Sequence, residues 1–138
     1  MTDKELRITS STTNLQQIRD FIQSECGAVG CPEPEIYKIQ LAVDEACTNV
    51  IKHAYKNDPN HPITIRLDFE GNTLEICISD QGVPFDASHY HTPDLANFIK
   101  QRKRGGLGIQ LIRSLMDEVR YERQNNQNRV TLVKTIRS

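Results

Sequence analysis

The sequence lacks an excess of charge of either sign. Its 138 residues carry 17 Lys and Arg against 18 Asp and Glu, a formal net charge of −1. A general nucleic-acid or membrane-surface binder would show a basic footprint, so neither partner is expected. Also missing is any apolar run near the roughly 20 residues that a bilayer demands. The opening MTDKELRITS has no hydrophobic stretch of the kind a secretory signal carries. No Cys-x-x-Cys pair occurs; Cys26, Cys31, Cys47 and Cys77 are spaced otherwise. Reduced, packed thiols in a cytoplasmic protein are expected, rather than bridges or a zinc site, with Cys26 and Cys31 the one pair close enough in sequence to consider. Three nucleotide signatures are absent as well. There is no G-x-x-x-x-G-K-[ST] loop, no G-x-G-x-x-G turn and neither a His-Arg-Asp nor an Asp-Phe-Gly triplet. A P-loop enzyme, a Rossmann enzyme and an ordinary protein kinase are excluded on that ground.

What is present reads as a single domain over residues 1–138. Lys4 to Ser10 alternates as a strand. Ser11 to Asn14 offer caps for a helix to about Glu25. A second helix runs from roughly Glu35, after Pro34, to Tyr55. Its apolar stripe is Ile36, Ile39, Val43, Ala46, Cys47, Val50 and Ala54 at the 3.6 period. Ile63 to Phe69 and Thr73 to Ser79 form a hairpin about Gly71-Asn72. A polar, loosely patterned segment of about 86–104 suits a lid, with a short helix near Asp94 to Lys100. Gly106 to Met116 is helical. Glu118 to Arg123 and Arg129 to Ile136 form a last hairpin around Asn125 to Asn128. Hairpins with interspersed helices predict an α+β fold, with helices covering one face of a mostly antiparallel sheet.

Three polar groups interrupt this pattern. Glu45 and Asn49 are four residues apart and share a helix face. An amide oxygen suits hydrated Mg2+, and a carboxylate one turn away can take a proton from a hydroxyl. Alone, the pair reads as a solvated helix face, and His53 further along as a packing or capping residue. Asp80 follows Leu74, Ile76 and Ile78 at period 2, which turns its carboxylate toward the apolar face. A buried acid needs a partner, and an adenine amino group is one. Gly82 would let backbone approach a flat base. Alone, Asp80 and Gly82 are ordinary turn residues. Gly105, Gly106 and Gly108 open a helix, where free N–H groups bind phosphate. Lys100, Arg102, Lys103 and Arg104 precede them. Alone, that run is a hinge beside a solvated charge cluster.

Taken in order, LAVDEACTNVIKHAY, DQGVPFD and RGGLGIQLI closely resemble the N, G1 and G2 boxes of the GHKL (Bergerat) ATP-binding superfamily. Within it the chain looks like the anti-sigma-factor serine/threonine kinases of the RsbW and SpoIIAB type. The resemblance implies a two-layer α/β sandwich with ATP between the helices and a mixed sheet. Matched by motif, Asn49 holds Mg2+, Glu45 is the general base and Asp80 reads the adenine amino group beside Gly82. Arg104, Gly105, Gly106, Leu107 and Gly108 wrap the phosphates, and Thr131 is the candidate for a late-strand threonine near the base. The expected activity is phosphorylation of a STAS-type anti-anti-sigma factor on Ser or Thr. A sigma factor is the other partner, and a homodimer the expected assembly. The alternative is a nucleotide-gated binding module without transfer.

Overall fold

The computed structural model describes residues 2–84 and 107–136. The lid and its short helix, together with Arg104, Gly105 and Gly106, lie outside the described residues. So do the side chains of Leu107 and Gly108.

Five strands form one sheet: β1 (Thr2–Thr9), β2 (Pro62–Glu70), β3 (Thr73–Asp80), β4 (Glu118–Gln124) and β5 (Gln127–Thr135). Their order across the sheet is β1-β2-β3-β5-β4, and all four pairings are antiparallel. Among the described residues three α-helices, α1 (Leu15–Ala28), α2 (Glu33–Asn49) and α3 (Leu107–Leu115), accompany it, which makes the fold α+β.

Alternation decides which face of the sheet the helices cover. Ile63, Ile65 and Leu67 of β2, Leu74, Ile76 and Ile78 of β3, and Val130 and Leu132 of β5 all point to the same side and are buried. The helices answer with stripes at helical spacing: Ile18, Ile22 and Cys26 on α1, and Ile36, Ile39, Val43, Ala46 and Cys47 on α2. Together they make one core. Cross-helix polar contacts set the helix registers. Arg19 on α1 meets Asp44 on α2 at 2.8 Å, and the Gln40 amide donates to the Arg19 carbonyl at 3.0 Å. Lys134 is buried on β5 and donates to the carbonyl of Leu115 at 3.1 Å. That ties the end of α3, where orphan carbonyls gather, to the sheet.

The second helix does not run uniformly to Tyr55. It ends as an α-helix at Asn49 and continues as a π-helical turn, Val50–Ala54. The Tyr55 N–H accordingly reaches back to the Val50 carbonyl at 3.0 Å. Such wide turns often mark functional places. This one presents the Ala54 carbonyl and the Tyr55 ring to the end of β3.

The last hairpin also differs from expectation. Its turn has two residues, Asn125 and Asn126, at φ of 55° and 62°. Both sit in the left-handed region that a tight hairpin of this kind requires and that Asn tolerates. Gln127 and Asn128 therefore belong to β5 rather than to the loop.

Cys26, Cys31, Cys47 and Cys77 are free thiols. Burial pushes Cys26 up to about 12 and Cys47 higher still, so both stay protonated.

Candidate functional site

Asp80 is the last residue of β3 and is 4% exposed. Register places it between Ile63 on β2 and Asn128 on β5, on the helix-facing side as period 2 predicts. Its Oδ1 accepts two hydrogen bonds, from the Asn128 amide at 2.8 Å and from the Gly82 N–H at 2.9 Å. No hydrogen bond to Oδ2 is found among the described residues. Burial pushes the carboxyl above its ordinary value; Asn128, the Gly82 N–H and the Arg123 charge pull back without cancelling the shift.

The segment after Asp80 is pinned from several sides. The Val83 N–H donates to the Ala54 carbonyl at 2.9 Å. Asn128 donates to the Val83 carbonyl at 2.8 Å, and Arg123 to the Gly82 carbonyl at 3.0 Å. The Tyr55 hydroxyl accepts from the Gln81 N–H at 2.6 Å and donates to the Pro62 carbonyl at 2.6 Å. Gly82 has a reason of its own to be glycine. A Cβ there would stand 2.4 Å from the Ala54 carbonyl oxygen and 2.7 Å from the Ala54 side chain. The close approach is therefore to the π-turn. It does not require the flat base that the sequence suggested.

Asn49 closes α2 and is 7% exposed, well buried for a residue whose pairing with Glu45 alone reads as a solvated helix face. Its amide nitrogen is buried and has no hydrogen-bond partner among the described residues. A buried polar atom left orphaned calls for an explanation, and a ligand group is one. Glu45 stands one turn earlier, half-exposed. His53 is half-buried, and burial with Lys52 and Lys56 lowers its pKa, so the ring is neutral.

Between α2 and the sheet these groups line a cleft, with Ala46, Asn49, Val50 and Ala54 on one wall and Asp80, Tyr121, Asn128 and Val130 on the other. The walls are mostly apolar with a few convergent polar atoms, the usual make-up of a small-molecule site. Asp80 and Asn49, named from sequence, meet in this cleft. Glu45 is not part of its wall.

Thr131 does not belong here. Its register partners are Cys77 and Arg120, one residue out of phase with the Asp80 row. In a strand that shift carries the side chain to the other face. There Thr131 lines a separate groove with Arg66, Cys77 and Arg120. Asn128, three residues earlier, occupies the helix-facing side and bonds Asp80. The sequence pattern places Asn128 in the turn because the run Asn125 to Asn128 is polar throughout, whereas the tight two-residue turn puts it on β5. Counting back by twos from Leu132 and Val130 would have found it.

The cleft can be tested against a Mg2+ ion by its donor set. Among the described residues, no group of three or more His, Cys, Asp or Glu is placed to hold a metal. Mg2+ does not need one; it commonly takes one or two protein oxygens and completes its shell with phosphate and water. The Asn49 amide oxygen is a ligand of that kind, while the orphaned nitrogen is a donor that suits a phosphate or water oxygen rather than the cation itself.

Comparison with known proteins agrees with the architecture. The model of the histidine kinase-like ATPase domain matches residues 8–134. The serine-protein kinase RsbW of Bacillus subtilis (strain 168) is 33% identical over 137 residues, 95% of this chain and 82% of the relative. The enzyme of the same name from Bacillus licheniformis is 36% identical over 110 residues, 76% of this chain and 68% of the relative. Among solved structures, the RsbU and RsbW domains of Rv1364c from Mycobacterium tuberculosis superpose with a TM-score of 0.71 at 14% identity, over 99% of this chain and 33% of that one. The SiaB-SiaC complex from Pseudomonas aeruginosa gives 0.64 at 14% identity, over 96% of this chain and 89% of that one. On sequence and fold together, the chain belongs to the histidine kinase-like ATPase family and, within it, to the RsbW-type serine-protein kinases.

Proposed function

We propose that this chain is an ATP-dependent serine/threonine kinase that also acts as an anti-sigma factor, phosphorylating a STAS-type anti-anti-sigma factor in a partner-switching system. The observation that carries the nucleotide reading is the buried Asp80 carboxylate, held on one oxygen by Asn128 and Gly82 in a mostly apolar cleft. A flat base fits such walls, and a carboxylate selects an amino group over a ring carbonyl. The partner reading draws on the names of the relatives and on SiaB having been solved in a complex with SiaC. A homodimer is part of the same proposal.

In this mechanism Asp80 accepts from the adenine amino group and Tyr121 and Val130 wall the base. By their match to the phosphate-binding motif, the glycines at 105, 106 and 108 would serve as the phosphate contacts, with Arg104 a further candidate. Asn49 and phosphate oxygens would hold Mg2+, which when bound neutralises charge on the β- and γ-phosphates. Glu45 takes the proton of the partner's Ser or Thr hydroxyl. The hydroxyl oxygen bonds to the γ-phosphorus, the bond from that phosphorus to the bridging oxygen breaks, and ADP leaves with the electron pair.

A second reading, a nucleotide-gated binding module without transfer, draws on Glu45 standing outside the cleft wall. ATP labelled at the γ-phosphate, incubated with this chain and a STAS-type partner, decides between the two. The kinase reading expects label on the partner with the native chain and none with Glu45→Gln, which still binds ATP. Label transferred equally by both would remove Glu45 from the role of base. No label with either would leave the module.

A further inference from the structure

The row of side chains crossing the sheet at Asp80 continues to the outer strand. Arg123 on β4 stands opposite Asn128 on β5, which stands opposite Asp80 on β3. Its guanidinium donates through one nitrogen to the Asn128 Oδ1 at 2.9 Å and to the Gly82 carbonyl at 3.0 Å. Asn128 in turn donates to Asp80 Oδ1 and to the Val83 carbonyl, each at 2.8 Å. With the Gly82 N–H on Asp80 and the Val83 N–H on Ala54, every backbone polar group of Gly82 and Val83 is bonded. Two of those four bonds depend on Arg123 or on the residue it orients.

We propose that Arg123, acting through Asn128, is a specificity-determining positioning residue: it holds the Asp80 carboxylate and the Gly82–Val83 segment in the orientation that accepts an exocyclic amino group and rejects a ring carbonyl. This rests on the reading of Asp80 as the base-selecting group. The Asn128 amide keeps its nitrogen on two acceptors, Asp80 Oδ1 and the Val83 carbonyl, while Arg123 holds its oxygen. Without Arg123 the amide oxygen and the Gly82 carbonyl both lose their donor, so the row that fixes the Asp80 carboxylate is held less tightly. A base pocket discriminates strongly only while its buried polar groups are fixed to fit one partner and left unpaired by the other. A lysine brings a compact ammonium on a flexible stem in place of a planar fork, and so restores the charge with looser geometry.

Calorimetry with ATP and with inosine triphosphate, which carries a carbonyl in place of the adenine amino group, tests this in the native chain, Arg123→Ala and Arg123→Lys. The native chain is expected to favour ATP. Arg123→Ala should lose about tenfold in ATP affinity and much less for inosine triphosphate, so that the ratio narrows. Arg123→Lys should recover part of it. Arg123 is exposed, and a thermal melt checks that each variant is folded. An equal loss for both nucleotides, or an unchanged ratio, would make Arg123 merely structural and overturn the proposal. A native chain that does not distinguish the two nucleotides would overturn the Asp80 reading beneath it.

Discussion

Replacing Asp80 by Asn separates what the residue does for stability from what it does for binding. The change is close to isosteric, and the amide oxygen can still accept from Asn128 and from the Gly82 N–H. The new NH2 group then occupies the place of Oδ2 and faces the adenine amino group, donor against donor. A hydrogen bond to a charged acceptor, worth about 1.5–3 kcal/mol, is lost, and a buried donor goes unpaired at a further ~1–3 kcal/mol. ATP affinity should therefore fall by a factor between roughly 70 and ~20,000. Stability should move the other way. Burial raises the Asp80 pKa above its ordinary 3.8, so the folded state binds that proton more tightly than the unfolded chain. Charged Asp80 thus subtracts from stability at neutral pH, and the deficit is relieved as pH falls through the raised pKa toward 3.8. Ligand-free Asp80→Asn is expected to melt at or above the native temperature near neutral pH, with the gap closing on acidification. Calorimetric titration with ATP and thermal melts over that pH range read both effects. Native-like ATP affinity in the variant would refute the base-reading role; a lower melting temperature that persists at neutral pH would refute the desolvation argument.

Gly82→Ala should cost about 2–4 kcal/mol, because the new Cβ meets the Ala54 backbone rather than a side chain that can rotate away. Denaturant unfolding checks this, and an unchanged midpoint would mean the π-turn shifts freely. Asn49→Ala removes a buried amide nitrogen that has no partner among the described residues, so the ligand-free chain should be no less stable. Its ATP affinity should lose most of the gain that Mg2+ gives, while affinity without the metal stays near native. The same Mg2+ dependence in both proteins would dissociate Asn49 from the ion.

The legible parts of this protein were those carried by period. Leu74, Ile76 and Ile78 at every second position, and Ile36, Ile39, Val43 and Ala46 at helical spacing, announced the core faces, and all are buried. The same alternation places Asp80 on the buried side, where it is found. Asn49 and Asp80 could be named because an amide beside an apolar stripe and an acid ending an apolar strand break a pattern that is otherwise cheap to satisfy. Tertiary structure alone decided the rest. Whether Asn128 or Thr131 faces the cleft turns on the length of one hairpin loop, since a single residue of register exchanges the faces of the whole strand. The need for glycine at position 82 arises where β3 meets the π-turn of a helix some 30 residues earlier, a distance along the chain at which local propensity carries no information. The bond from Arg123 through Asn128 to Asp80 exists only because β5 inserts between β3 and β4, so that Asp80, distant in sequence, joins the hairpin pair Arg123 and Asn128 in one row.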